Sequence, residues 1–133
     1  MNTFFGLVVP FLDHLGIRSE HYEDGRTTVS CEVTPALTNH LHSAHGGLIG
    51  TLLDVAMSSA ARLQLPPGDA AVTVTMTQNF IRAPGQGVLR AHGQVRQALR
   101  SLVFCDAELI DAEGRLVATA SGTFRVLRAR PEA

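Results

Sequence analysis

Apolar side chains at Phe4, Leu7, Val8, Phe11, Leu12 and Leu15 recur at steps of three and four residues, the period of an amphipathic helix. The pattern predicts a short helix within residues 4–15, opened or interrupted by Pro10. Residues 16–22 and 26–33 read as two strands flanking the turn Glu23-Asp24-Gly25. Residues 34–45 are polar, rich in His and broken by Pro35, a loop. Residues 46–63 carry the one long helical pattern, stopped by Pro66-Pro67-Gly68. Beyond it the period falls to two. In 72–81, Val72, Val74, Met76 and Phe80 alternate with Thr73, Thr75, Thr77 and Asn79. Segments 88–98, 101–110 and 115–127 alternate likewise, separated by Pro84-Gly85-Gln86-Gly87 and Asp111-Ala112-Glu113-Gly114. Such alternation belongs to antiparallel strands with one wet face. The order predicts an α+β fold: an antiparallel sheet of about six strands around one long helix, in a single domain spanning 1–133.

The long helix is apolar almost all round, which predicts burial. Asp54 is the only ionisable residue between His45 and Arg62. A buried carboxylate is costly unless partnered. It is either a structural acid satisfied by a neighbouring Thr or backbone N–H, or a catalytic one. Gly47, Gly50, Thr51, Ser58 and Ala61 form a small-residue edge on the same helix, open to a ligand or another backbone. His45-Gly46-Gly47 stands where the helix begins. The first N–H groups of a helix lack internal partners and lie at its positive end. With no side chain in the way, they can donate to an oxyanion; equally, the glycines can simply permit a tight entry turn.

Composition removes several classes. The chain has 133 residues, 45% hydrophobic and 17% charged, with a formal net charge of -1. That is a globular composition without the basic excess of a nucleic-acid binder. Cys31 and Cys105 are too few for a disulfide framework and read as reduced core residues. All 11 basic residues are Arg. No stretch approaches the ~20 apolar residues of a membrane span, and the apolar start lacks the basic region of a secretory leader. A cytoplasmic protein is expected, with neither nucleic acid nor membrane as partner.

The run Asn39, His45-Gly46-Gly47 and Asp54 resembles the signature of the hotdog-fold acyl-CoA thioesterases of the phenylacetic-acid-degradation type, related to the 4-hydroxybenzoyl-CoA thioesterases. The likeness covers most of the chain, since strand count and single long helix agree. It implies hydrolysis of an acyl-CoA or aryl-CoA thioester to acid and CoA, with no cofactor beyond the coenzyme A of the substrate. It implies Asp54 as catalytic carboxylate, the Gly46 N–H as oxyanion donor, and Asn39 and His45 as orienting groups. Thr73 falls near a hydroxyl position of related enzymes. Gly47 belongs to the binding edge, and Arg82 and Arg100, at strand ends, are candidates for the CoA phosphates.

Two rivals share the scaffold: a hotdog hydratase or dehydratase, which pairs a His with an acid, and a non-catalytic acyl-CoA-binding protein. A metal reading of His40, His42 and His45 fails on Ala44, where the metallo-hydrolase run needs an Asp. No metal is expected. Helix geometry adds one expectation. Gly46 and Asp54 lie eight residues apart, about 12 Å along the axis, too far for one helix to serve one thioester. Antiparallel helices across a two-fold axis would bring Gly46 of one chain to Asp54 of another. This predicts a homodimer with shared sites, which the resemblance also implies; pairing of dimers into a tetramer is expected beside it but does not follow from the geometry.

Overall fold

The computed structural model describes residues 2–130. Helix α1 (Pro10–Leu15) precedes the hairpin β1 (Arg18–Glu23) and β2 (Arg26–Val33). A 3-10 turn (Pro35–Leu37) leads to α2 (Gly46–Leu63). Then come β3 (Ala70–Phe80), β4 (Gly87–Ala98), β5 (Leu102–Ile110) and β6 (Leu116–Leu127). The six strands make one antiparallel sheet in the order β1-β2-β4-β5-β6-β3.

The helix expected within 4–15 forms only from Pro10. Phe4 and Leu7 close a tight turn instead, with Phe5 and Gly6 at positive φ. Proline suits the first helical position, where its missing N–H is not needed. Gly16 ends the helix in the left-handed conformation.

Helix α2 crosses the inner face of the sheet on a strip of small residues. In one lateral row Thr27, Gly93, Ala107, Ala120 and Gln78 lie side by side on β2, β4, β5, β6 and β3. A Cβ on Gly93 would overlap the Ala56 carbonyl oxygen, so the two backbones touch only because Gly93 has none. Thr27 Oγ1 donates to that same carbonyl at 2.6 Å. Leu52, Leu53, Ala56, Met57 and Ala60 are fully enclosed, with Phe124, Leu89, Leu109 and Val103 opposite. Cys31 and Cys105 are buried free thiols. Burial, aided by Glu32 and Asp106, pushes them up to about 11 and about 12.

Two sequence expectations are corrected. The helix is not enclosed all round: Gly46 and Gly47 are exposed, and Gly50, Thr51, Asp54 and Ser58 half-buried. Nor does the apolar side of β3 meet the core along its length. β3 is an edge strand, and Val74 (54%) and Phe80 (57%) stand exposed.

Candidate active site

The entry to α2 is built by its N-cap. His45 Nδ1 accepts from the Gly47 N–H at 2.8 Å, so that nitrogen is unprotonated and the ring proton sits on Nε2. The His45 N–H donates to the Leu37 carbonyl, and the Leu48 N–H to the His45 carbonyl. Of the four N–H groups that a helix start leaves over, this accounts for three. Of these four, only the Gly46 N–H finds no acceptor among the described residues. It lies on the surface at the positive end of an 18-residue helix. A Cβ on Gly46 would meet only the Phe80 ring, at 3.8 Å.

Asn39 shapes the loop before this cap. Its Oδ1 accepts from the N–H groups of Leu41 and Ser43. That leaves only the side-chain N–H groups for a ligand. The expected orienting role is therefore narrowed to donation, and no hydrogen bond ties Asn39 to His45 or Asp54.

Two turns along α2, Thr73 Oγ1 donates to Asp54 Oδ1 at 2.6 Å. The contact depends on a bulge in β3. The pairing with β6 slips by one residue between Thr73 and Thr75. Simple alternation puts Thr73 with Thr75 and Thr77, away from the helix. The extra residue, Val74, turns Thr73 to the helix side with Met76, Gln78 and Phe80, which pair with the inward positions Gly122, Ala120 and Ala118. Bulges re-aim side chains in this way.

Gln78 lies between these two ends of α2, without a clear sequence signal beyond being polar between Met76 and Phe80. Its carboxamide lies over Gly50, where a Cβ would meet Oε1 at 3.0 Å, and its buried Oε1 has no partner. Thr73 against Asp54, Gln78 against Gly50 and Phe80 against Gly46 show α2 and β3 running antiparallel, side by side.

One protomer thus joins Thr73 to Asp54 and His45 to Gly46 and Gly47, but keeps the two pairs apart. Arg82 follows β3 at the Gly46 end. Arg100 sits in the β4–β5 hairpin, beyond the row of Val103, Phe124 and Thr73, at the Asp54 end. Both are exposed. Among the described residues no three His, Cys, Asp or Glu side chains converge as metal ligands would, and His40 and His42 lie exposed on the loop.

Comparison with known proteins places this geometry. Residues 41–118 match the family model described as the thioesterase superfamily. The acyl-coenzyme A thioesterase PaaI of Escherichia coli is 32% identical over 109 residues, which is 81% of this chain and 76% of that protein. The solved structure of the E. coli PaaI protein, from the phenylacetic acid degradation operon, superposes with a TM-score of 0.83 at 29% identity, covering 90% of this chain and 85% of that one. A Bacillus halodurans protein solved with CoA superposes with a TM-score of 0.85 at 31% identity, covering 92% and 82%. The six-stranded sheet around one long helix is the hotdog fold, and the chain belongs to the thioesterase superfamily.

Proposed function

We propose that the protein hydrolyses acyl-CoA or aryl-CoA thioesters, with the Gly46 N–H as oxyanion donor and Asp54 as the carboxylate that assists water. The observation that carries the reading is the unpaired Gly46 N–H at the surface-exposed start of α2. A carbonyl oxygen seated there gains a donor that strengthens as negative charge develops. Thr73 occupies one oxygen of Asp54, leaving Oδ2 for the water. As the water oxygen bonds to the carbonyl carbon, its proton passes to Asp54. Collapse breaks the C–S bond and returns the proton to sulfur, giving acid and CoA thiol. No step calls on a metal or redox group, so dialysis against a chelator leaves the rate unchanged.

We further propose that each site is shared by two chains. The free edge of β3, with Val74, Phe80 and Ile81 exposed, is the kind of edge that recruits another strand. A two-fold axis through the middle of β3 exchanges its two ends. Because α2 runs antiparallel alongside, Asp54 and Thr73 of one chain then approach Gly46 and Phe80 of the other. Arg82 of the chain giving Gly46 and Arg100 of the chain giving Asp54 fall on the same shared site, and we assign the CoA phosphates to them. Pairing of such dimers into a tetramer, and a cytoplasmic setting, fit this reading; no helix among the described residues is long and apolar enough to cross a membrane.

A thiol-release assay on phenylacetyl-, hydroxybenzoyl- and straight-chain acyl-CoAs tests the activity. Release of thiol from at least one is expected. Hydration of an enoyl-CoA without thiol release, or binding alone, would replace this reading with the hydratase or the binding protein.

A further inference from the structure

The oxyanion donor proposed above sits on the Gly46-Gly47 pair, and glycine is the residue least able to hold a backbone angle by itself. Two side chains hold it from outside. Thr51 Oγ1 donates to the Gly47 carbonyl at 2.8 Å. On the other side His45 Nδ1 accepts from the Gly47 N–H, also at 2.8 Å. The ring lies so close over Gly47 that a Cβ there would stand 3.0 Å from Nδ1.

That second bond depends on charge. Nε2 already carries the ring proton, so a further proton goes to Nδ1. Two N–H groups then face each other, and a positive charge stands at the positive end of the helix, so the ring leaves the cap. Around the exposed ring lie Phe11 and Leu15 of α1, Leu37 and Thr38 of the turn, and Leu48 and Thr51 of α2. None of these titrates or pairs with an imidazolium. The titratable groups on neighbouring segments are Asp13 and His14 of α1, His40 and His42 of the loop, and Arg82 after β3, and none of them lines this surrounding. In the shared site Asp54 of the other chain lies across the thioester position.

We propose that His45 is a positioning residue for the oxyanion donor. Neutral, it caps α2 and fixes the Gly46-Gly47 backbone; protonated, it releases that backbone, and turnover falls on acidification without the ring touching substrate. The proposal rests on the thioesterase reading for the use of the donor. A donor in place for only a fraction of the time lowers turnover by that fraction.

Substitution separates the two ring nitrogens. Asn sets an oxygen where Nδ1 accepts, is a favoured N-cap, lacks the Nε2–H and does not titrate. Gln carries an N–H donor out to the reach of Nε2 and falls outside the favoured N-caps. Turnover of the parent, His45→Gln and His45→Asn is followed from about pH 5 to 8, where histidines ordinarily change charge. The protection factor of the Gly47 N–H is measured beside it by NMR hydrogen exchange. His45→Gln should lose about tenfold in kcat, in the range one N-cap is worth. His45→Asn should restore kcat to within about threefold of the parent and flatten the acid limb that the parent shows in this window. Gly47 should be protected in His45→Asn throughout and in the parent at the alkaline end. It should be unprotected in His45→Gln, and in the parent at the acid end. Turnover kept by Gln and lost by Asn would make the Nε2–H the working group and overturn the proposal. So would an acid limb that survives unchanged in His45→Asn. Gly47 protection that follows variant and pH as described, in a protein that hydrolyses no acyl-CoA, would uphold the capping switch and overturn the thioesterase reading instead.

Discussion

Gly46 occupies the first position of α2, where proline is also welcome. His45 before it is already extended, with φ -63 and ψ 140, as a residue preceding proline must be. Gly46→Pro therefore deletes the one open N–H while the helix keeps its start. Turnover should fall ~10²–10³-fold, the usual loss for one oxyanion donor. Gly46→Ala, whose Cβ meets only Phe80 at an ordinary distance, should retain most activity. Equal loss in both variants would mean that the site needs space at Gly46 rather than its N–H. Asp54→Asn should lower kcat ~10²–10⁴-fold with the melting temperature held; near-normal turnover would return Asp54 to a structural role. Gly93→Ala makes the opposite kind of statement. It touches no reacting group, yet its methyl overlaps the helix backbone at Ala56. It should destabilise by at least the ~1–3 kcal/mol of an overpacked core, measured by urea unfolding.

At the scale of elements, β3 does what its alternation does not predict. The bulge at Val74 divides the strand into two segments of opposite phase. Ala71 and Thr73 face the helix before it, and Met76, Gln78 and Phe80 after it. Thr73→Val removes the donor to Asp54 and should cost activity with little loss of stability. Moving the hydroxyl one residue on, in a chain carrying both Thr73→Val and Val74→Thr, discriminates the two arrangements. In unbroken alternation Thr at 74 would face Asp54 and rescue turnover. With the bulge as observed it stays away, and the double variant remains as slow as Thr73→Val alone.

At the scale of the whole molecule, the exposed edge of β3 and the separation of Gly46 from Asp54 point to a second copy. A Gly46→Pro chain or an Asp54→Asn chain alone should keep only the residual turnover given above. Co-refolded, they should regain about one working site per heterodimer. Inactive mixtures in which heterodimers demonstrably form would refute shared sites. Two carboxylates tie down distant loops. Asp69 accepts from the Ala129 N–H and the Arg128 guanidinium, which hold it below the usual carboxylate range. Asp111 is raised by burial, but hydrogen bonds from the Arg115 backbone and side chain outweigh this and lower it. The unfolded chain therefore takes up these protons first. The stabilisation is complete above the unfolded carboxylate pKa of about 4 and is lost as pH falls through the lower folded values. The melting temperature should drop below about pH 4, and less steeply in Asp111→Asn.

Read along the chain, periodicity alone located α2 to the residue and placed the apolar residues of β4, of β5 and of β6 from Ala118 onward on the inward face, though at the start of β6 Val117 and not Leu116 is buried, because which way a side chain points in a regular element depends only on its neighbours in sequence. The spacing of Asn39, His45, Gly46 and Asp54 was equally legible, being a property of a single short segment. What the tertiary structure decided is everything set by pairing between distant segments. The slip of β3 against β6 turned Thr73 to Asp54. The strand order left β3 on the edge and α2 half open. The loop from Leu37 to His45 consumed every first-turn N–H except that of Gly46. None of these leaves a mark in local periodicity, since each depends on which remote backbone atoms are near enough to bond.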